Sequence, residues 1–455
     1  MATRLRETTR REVESFVTDW LSEHRIPGAS VAIVDGEEVL FADGFGARDL
    51  DSNAPATADT RYGVASVTKS FTAIAVLQQV EAGAVALDDP ITDYLPFFEE
   101  LTDPPTVHDL LSHTSGMPSD GASVALISRL TGADPVEVPL SSDADFRRYV
   151  ADSTDERASG DRFFYYNTGY TILGKLVETL DGRAFPEYVG KEILDPLGMD
   201  RSVLAPEDFN ALDDAMTPYR SEDGERVPTD FPVKGVGAAG GLVSTARDLA
   251  RYLQFQFDPD EAVLSSDLLE KARQSYATRE RYLDGTEQGY GYGWMRQPFL
   301  GDTLVDHGGS LGVSTSYLGF LAGERLGVAV ACNDSPPVHP NQVGPALLSL
   351  LQGANPATAT HSYGLREKGE QLAGEYKSYR GILTATVERD GAMLDITLET
   401  AGDEQQFTAT PETSDPDDLR YTTVRETGAE VPVEFEKTED GMDLYFERWR
   451  LHRTE

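Results

Sequence analysis

The chain has 455 residues, enough for a large core and for two or three domains. Its 78 Asp and Glu against 39 Lys and Arg give a formal charge of −39, dispersed along the whole sequence, a field that repels nucleic acid and anionic lipid. One cysteine, Cys332, excludes an intrachain disulfide and a cysteine-based zinc site, and its place in the apolar run Gly327 to Cys332 predicts an inert thiol in a buried strand. No apolar run approaches the length of a membrane span. Arg10-Arg11 is followed by Glu12, Val13 and Glu14 instead of a long apolar stretch, so it is not read as an export signal. The expectation is a cytoplasmic protein without a membrane partner. Dispersed acids and few lysines fit a halophilic surface adapted to molar salt, where screening acts over about 3 Å. A basic partner is the competing explanation.

Residues Glu7 to His24 carry Val13, Phe16, Val17, Trp20 and Leu21 at helical spacing, and Ile26-Pro27-Gly28 ends the element. Ala29 to Val34 and Val39 to Phe45 read as two strands turned at Asp35-Gly36. A polar segment with Asn53 and Pro55 leads into Gly63-Val64-Ala65-Ser66-Val67-Thr68-Lys69. From Ser66 the chain lacks Pro and Gly until Gly83, and Phe71, Ile74, Ala75 and Val80 predict a helix with one buried face and Ser66 in its first turn.

Residues three apart on a helix lie one above the other, so Lys69 stands beside Ser66 at a helix start that offers unpaired N–H groups. A hydroxyl is a poor nucleophile near neutrality, and a desolvated amine within hydrogen-bond reach activates it. The plain alternative is a helix-start serine with a solvated lysine. Among the lysines of the chain, Lys69 alone has Ser three residues before it.

Thr106 to Gly116 reads as a short helix stopped by small residues and Gly116. His108 and His113 are five apart, the wrong spacing for one helix face, so no metal is expected; His113 is read as organising a loop. Residues Ser119 to Ser159 are acidic, with one helix expected from Asp143 to Val150, and are read as a surface cap over a cleft where substrate is chosen. Phe163-Phe164-Tyr165-Tyr166-Asn167-Thr168-Gly169-Tyr170 then leads into a helix from Ile172 to Leu180. An aromatic cluster before a helix is ordinarily core. Tyr165-x-Asn167 is nonetheless the one Tyr-x-Asn in the chain, and a phenol beside the Lys69 ammonium becomes a base if its pKa of about 10 is lowered.

The glycines of Gly235 to Gly241 lack a preceding strand and a P-loop lysine, so they are read as a tight approach before a helix that is capped by Thr245 and Asp248 and runs to Phe255. The aromatics of Gly289 to Met295 are assigned to the core. Thr303 to Asp306, Ser316 to Phe320 and Gly327 to Cys332 form an antiparallel set, the first leading into His307-Gly308-Gly309-Ser310. Glycines after a histidine on a strand admit a substrate backbone, and the Ser310 N–H could face the Ser66 N–H across a developing oxyanion. A hairpin turn with a surface histidine is the alternative.

Ser-x-x-Lys, Tyr-x-Asn and His-x-Gly in that order resemble the serine β-lactamase and penicillin-binding-protein superfamily, in its class C, D-alanyl-D-alanine carboxypeptidase and CubicO-like branch, over about Val13 to Leu351. Leu110 to Gly116, Tyr165 to Tyr170 and Gly240 to Thr245 look like its secondary signatures. The resemblance implies an α/β (α+β) fold, an antiparallel sheet flanked by helices plus a helical subdomain, with no cofactor and no metal. It implies Ser66 as the acylated nucleophile, Lys69 and Tyr165 as the groups that handle its proton, and Asn167, Gly309 and Ser310 around a small-molecule or short peptide substrate. His307 stands where many β-lactamases have lysine, which favours an amide, peptide or ester hydrolase over an efficient β-lactamase. A penicillin-recognising or ligand-sensing protein without turnover is the second reading.

Gly353 to Thr360 has linker composition. From Gly374 short alternating strands, Ile382 to Val387, Met393 to Leu398, Val431 to Phe435 and Met442 to Phe446, predict a small β-barrel that resembles lipocalin-like C-terminal domains. The expected division is 1–352 for the hydrolase domain, 353–370 for the linker and 371–455 for the barrel. Gating the cleft, assembling a homo-oligomer or simple stabilisation are the roles open to it.

Overall fold

In the computed structural model, which describes residues 5–99, 101–119, 143–154, 162–222, 224–231 and 237–454, the central strand is Gly28–Asp35 (β1), buried on both faces until Asp35. Its small and β-branched side chains suit a strand with neighbours above and below. It forms a hairpin with Glu38–Asp49 (β2) through Gly36, whose φ of 55° supplies the turn geometry expected of Asp-Gly. Ala54–Pro55 (β3), Ala277–Arg281 (β4), Glu287–Tyr290 (β5), Met295–Phe299 (β6), Asp302–Ser310 (β7), Thr315–Leu321 (β8) and Leu326–Cys332 (β9) complete a nine-stranded antiparallel sheet in the order β3-β2-β1-β9-β8-β7-β6-β5-β4. Every residue of β8 and β9 is buried. Cys332 is inside β9 as expected, and burial pushes its thiol up to about 12, so the thiolate does not form near neutrality.

Helices cover the sheet and build a second layer. Glu7–His24 (α1) has the predicted bounds and buries Val13, Val17, Trp20 and Leu21. Thr68–Glu81 (α2) follows a 3₁₀ turn over Ala65–Val67, so Ser66 lies just before the α-helix and not in its first turn. Ala65 adopts a φ of 49°, a left-handed conformation that a continuous helix from Ser66 does not need. Burial of α2 is also wider than one face: Thr68 to Leu77 are all buried, because α2 runs between Asn167–Asp181 (α5) and the short helix Gly237–Gly240. Its polar side chains are satisfied inside the core, Thr72 Oγ1 donating to Ala238 O at 2.7 Å and Ser70 Oγ accepting from the Tyr252 hydroxyl at 3.0 Å.

Val107–Ser112 (α3) stops at His113, whose φ of 61° makes the left-handed cap that the sequence reading gave to Gly116. Asp143–Ser153 (α4) includes the predicted helix; most of the acidic cap expected around it lies outside the described residues. Ala246–Phe257 (α6) lies on β1 and β9 and is capped by Thr245, which accepts from Asp248 N at 3.1 Å. The Asp248 carboxylate turns away from that cap to Arg201 N and Ser202, so the capping box is half made.

Close packing divides the chain into two units, residues 1–280 with 287–348 and residues 281–286 with 349–455. The stretch expected as a linker carries two helices, Pro356–Ala359 (α7) and His361–Leu372 (α8). Asn355 and Pro356 start the first and the Thr360 hydroxyl, accepting from Tyr363 N, starts the second, so residues that read as loop formers act here as caps. Gly374–Lys377 (β10), Thr384–Asp390 (β11), Met393–Thr400 (β12), Asp403–Pro411 (β13), Arg420–Val424 (β14), Glu430–Thr438 (β15), Gly441–Phe446 (β16) and Trp449–Arg453 (β17) form a closed barrel, sealed where Tyr376 pairs with Arg453. Alternate side chains, among them Tyr376, Leu394, Ile396, Tyr421 and Phe435, fill its inside. Ile382, expected in a strand, instead lies outside β11 and is exposed.

Gly293 ties the sheet to α2. Its φ is 75°, and a Cβ there would lie 2.7 Å from the Lys69 carbonyl and the Ser70 nitrogen. Gly293→Ala is expected to cost about 2 kcal/mol or more in urea unfolding, through strain and backbone collision together.

Candidate active site

Ser66 is held by a turn clamped on three sides. Val64 N donates to Leu242 O at 2.9 Å, Ser316 Oγ of β8 donates to Val64 O at 2.7 Å, and Ser314 Oγ donates to Gly63 O at 2.7 Å. Gly309 of β7 passes so close that a Cβ would stand 2.3 Å from Val64 O and 2.9 Å from the Ala65 Cβ. Strand β7 therefore meets the serine turn only because that position is glycine. Ser310, the last residue of β7, is exposed immediately beyond this approach.

Lys69 lies one helical turn on, fully buried. Its Nζ is 3.1 Å from Ser66 Oγ, 2.8 Å from Asn167 Oδ1 at the start of α5, and 2.8 Å from Ala239 O on the glycine segment. Desolvation alone sets its titration, and it holds the amine well below the ordinary lysine range. The Tyr165 ring lies 4.7 Å from Nζ and its hydroxyl is hydrogen-bonded to Ser66. Burial drives the Tyr165 phenol upward, so the condition under which it would act as a base, a lowered pKa, is not met here, and the same burial moves the Lys69 amine downward.

His307 is buried on β7, not on a surface hairpin. Its Nδ1 lies 2.6 Å from Gly308 O, a group that only accepts, so Nδ1 carries the proton. Nε2 is then the acceptor for the Tyr290 hydroxyl at 3.1 Å. Burial is the main cause that lowers this imidazole to about 3. Tyr290, which sequence reasoning left in the core, is thus a partner of a motif residue. His113 was also underread: it packs 4.5 Å from the Tyr165 ring and 4.8 Å from the Tyr290 ring, and its Nδ1 accepts from Tyr166 N at 3.1 Å. Its own pKa falls well below the usual value, desolvation being the main cause.

The structure brings Ser66, Lys69, Tyr165 and Asn167 into direct contact, and sets His307 beside them with its ring 6.1 Å from the Tyr165 ring. A cavity of about 310 Å³ adjoins Tyr165 and His307 and is lined further by Gly309, Ser310 and Arg279, among others. Arg279, on β4, is the residue no motif revealed; it pairs with Glu280 at 2.9 Å and donates to Gln288 at 2.5 Å. Among the described residues no cluster of His, Cys, Asp and Glu could hold a metal, and no helix is long and apolar enough to cross a membrane.

This fold and this serine–lysine pair define the β-lactamase and penicillin-binding-protein class. The chain belongs to the Beta-lactamase family, which it matches over residues 6–352. Residues 356–452 match the Pab87 octamerisation domain. Protein flp of Staphylococcus aureus is 25% identical over 72% of this chain, which spans 64% of that protein's length. Penicillin-binding protein 4 of Amycolatopsis lactamdurans is 30% identical, over 69% of this chain and 82% of its own. The octameric penicillin-binding protein homologue from Pyrococcus abyssi superposes with a TM-score of 0.89 at 35% identity, covering 97% of this chain and 99% of that one.

The neutral His307 sets a stability profile. Its folded pKa, about 3, lies below the ordinary 6.5, so between these values the unfolded chain binds the extra proton. The stability it contributes is complete above about 6.5 and is lost as pH falls toward the folded value. Between about pH 6 and 4, unfolding free energy is expected to fall less steeply in His307→Asn than in the wild type, by about 1 kcal/mol per pH unit, measured by urea titration.

Proposed function

We propose that the chain is a serine hydrolase that acts through an acyl-enzyme on a small amide, peptide or ester. The observation that carries this reading is the surroundings of Lys69 Nζ. A neutral amine has two protons and one lone pair. Asn167 Oδ1 and Ala239 O take the protons, and the lone pair is left for the Ser66 hydroxyl, the one neighbour able to donate.

In the proposed step Ser66 Oγ attacks the substrate carbonyl carbon while its proton passes to Lys69 Nζ. The negative charge on the carbonyl oxygen is met by the backbone N–H groups of Ser66 and Ser310, a pairing supported by the approach of Gly309 to the serine turn. Tyr165, kept protonated by its burial, gives its proton to the leaving amine or alkoxide as the bond to the carbonyl carbon breaks, and regains one from Lys69. Water then hydrolyses the Ser66 ester. Asn167 orients both Lys69 and the substrate amide. His307 positions the strand and the Tyr165 ring; its two ring nitrogens are engaged by protein groups. The cation at the cavity wall that a substrate carboxylate would meet is Arg279, whose side chain is 29% exposed and pairs with Glu280.

We further propose that the chain works in molar salt, the reading its acidic surface suggests, and self-assembles through residues 356–452. Support for assembly comes from the octamerisation-domain match and from the octameric Pyrococcus abyssi homologue.

A fluorophosphonate probe is expected to label the wild type and not Ser66→Ala, with Lys69→Ala and Tyr165→Phe each slower by about two decades or more. Near-wild-type labelling of either variant removes that residue from the mechanism, and labelling without turnover of p-nitrophenyl esters, nitrocefin or D-amino-acid amides favours the ligand-sensing reading. For substrates bearing a free carboxylate, Arg279→Gln is expected to raise KM about tenfold with kcat nearly unchanged, and to alter KM for neutral esters far less.

A further inference from the structure

We infer that one rim of the C-terminal barrel is the surface by which a second copy of this chain docks. The inference rests on the self-assembly reading above and names the contact it uses. Because consecutive barrel strands are antiparallel, alternate turns share an end. The β10–β11, β12–β13, β14–β15 and β16–β17 turns therefore make one rim, and the chain enters β10 from α8 at the other.

Among the described large hydrophobic residues, those more than half exposed are Tyr379 at 76%, Val424 at 66% and Ile382 at 58%, and all three belong to this rim. A chain with a charge of −39 keeps most of its surface polar, so three such side chains on one rim, two on the β10–β11 turn and one at the close of β14 across the ring, are out of character with the rest. They are accompanied by Arg380 over the Tyr379 ring at 5.2 Å, Arg448 over the Trp449 ring at 5.3 Å, and an ion pair between Arg425 and Glu447. Tyr, Trp and Arg are the residue types that dominate binding energy at protein interfaces.

The β10–β11 turn is cross-linked by its own hydrogen bonds. Ser378 N donates to Leu383 O at 2.9 Å, Leu383 N donates back to Ser378 Oγ at 2.8 Å, and Gly381 N donates to Ser378 O at 2.8 Å. Arg380 and Gly381 both take left-handed conformations, with φ of 59° and 66°, which places Tyr379 and Ile382 outward on either side of the bend. A surface fixed before contact loses little freedom on docking. Like charge opposes the approach of two copies, so the occupant must be met through apolar and cation–π contacts that molar salt leaves intact while it screens the repulsion.

The test is light scattering on the full chain in molar KCl. The wild type is expected to assemble. Tyr379→Ser/Ile382→Ser/Val424→Ser is expected to weaken self-association by about a hundredfold or more, with unchanged circular dichroism, while Leu300→Ser, which removes a comparably exposed side chain on the β6–β7 turn, leaves assembly as in the wild type. The single variants Tyr379→Ser and Val424→Ser, each expected to weaken it several-fold, decide the matter if the triple variant misfolds. Wild-type assembly in the folded rim variants, or equal dissociation in Leu300→Ser, overturns the rim assignment. A wild type that stays monomeric overturns the self-assembly reading beneath it.

Discussion

A lysine with no countercharge inside a dry core is the constraint on which the rest of the site depends. Removing an ammonium from water is so costly that the group gives up its proton when no carboxylate offsets the loss. Lys368 in the second unit makes a partial contrast: burial lowers it too, but Asp418, Asp415 and Glu412 oppose that shift, and its Nζ donates to Thr413 O. Around Lys69 the polar contacts are an amide oxygen, a carbonyl and a hydroxyl. Nearby carboxylates offset part of the loss at Lys368, and nothing charged offsets it at Lys69.

Keeping that amine dry determines what the neighbouring elements must be. Helix α2 is buried along most of its length, the glycine segment offers Ala239 O at close range, and Gly293 lies against the Lys69 peptide. Ala65, left-handed just before Ser66, takes a conformation that costs on the order of 1 kcal/mol or more and persists only because surrounding bonds fix it. Those bonds come from Ser314, from Ser316 of β8 and from Leu242, residues far along the chain. The serine is thus positioned by the completed sheet and not by its own helix.

Much of this was legible in the sequence. The α1 bounds, the Asp35-Gly36 hairpin and the pairing of Ser66 with Lys69 follow from local rules of spacing and turn chemistry. Asn167 and His307 could be singled out because they occur in short, ordered motifs. Tyr290, Arg279 and the contact face of His113 could not, since each acts through neighbours brought in by sheet register, and no local pattern encodes register between distant strands. Whether Tyr165 is lowered or raised could not be read from spacing, because the answer depends on burial, which moves the phenol upward and the neighbouring Lys69 amine downward together.

The surface charge acts to raise Lys69 again, because a field of −39 favours every cation within it. Range decides against this. At about 1 M salt the screening length is near 3 Å, so carboxylates on the outside of the molecule act weakly on a group in its interior. Desolvation, by contrast, is a contact effect and is untouched by ionic strength. An acidic exterior and a lowered amine at the centre are therefore compatible, and most compatible at high ionic strength. The two properties sit on different length scales, and the barrel rim follows the same logic: where repulsion is screened at a few ångströms, apolar contact is what remains to bring copies together.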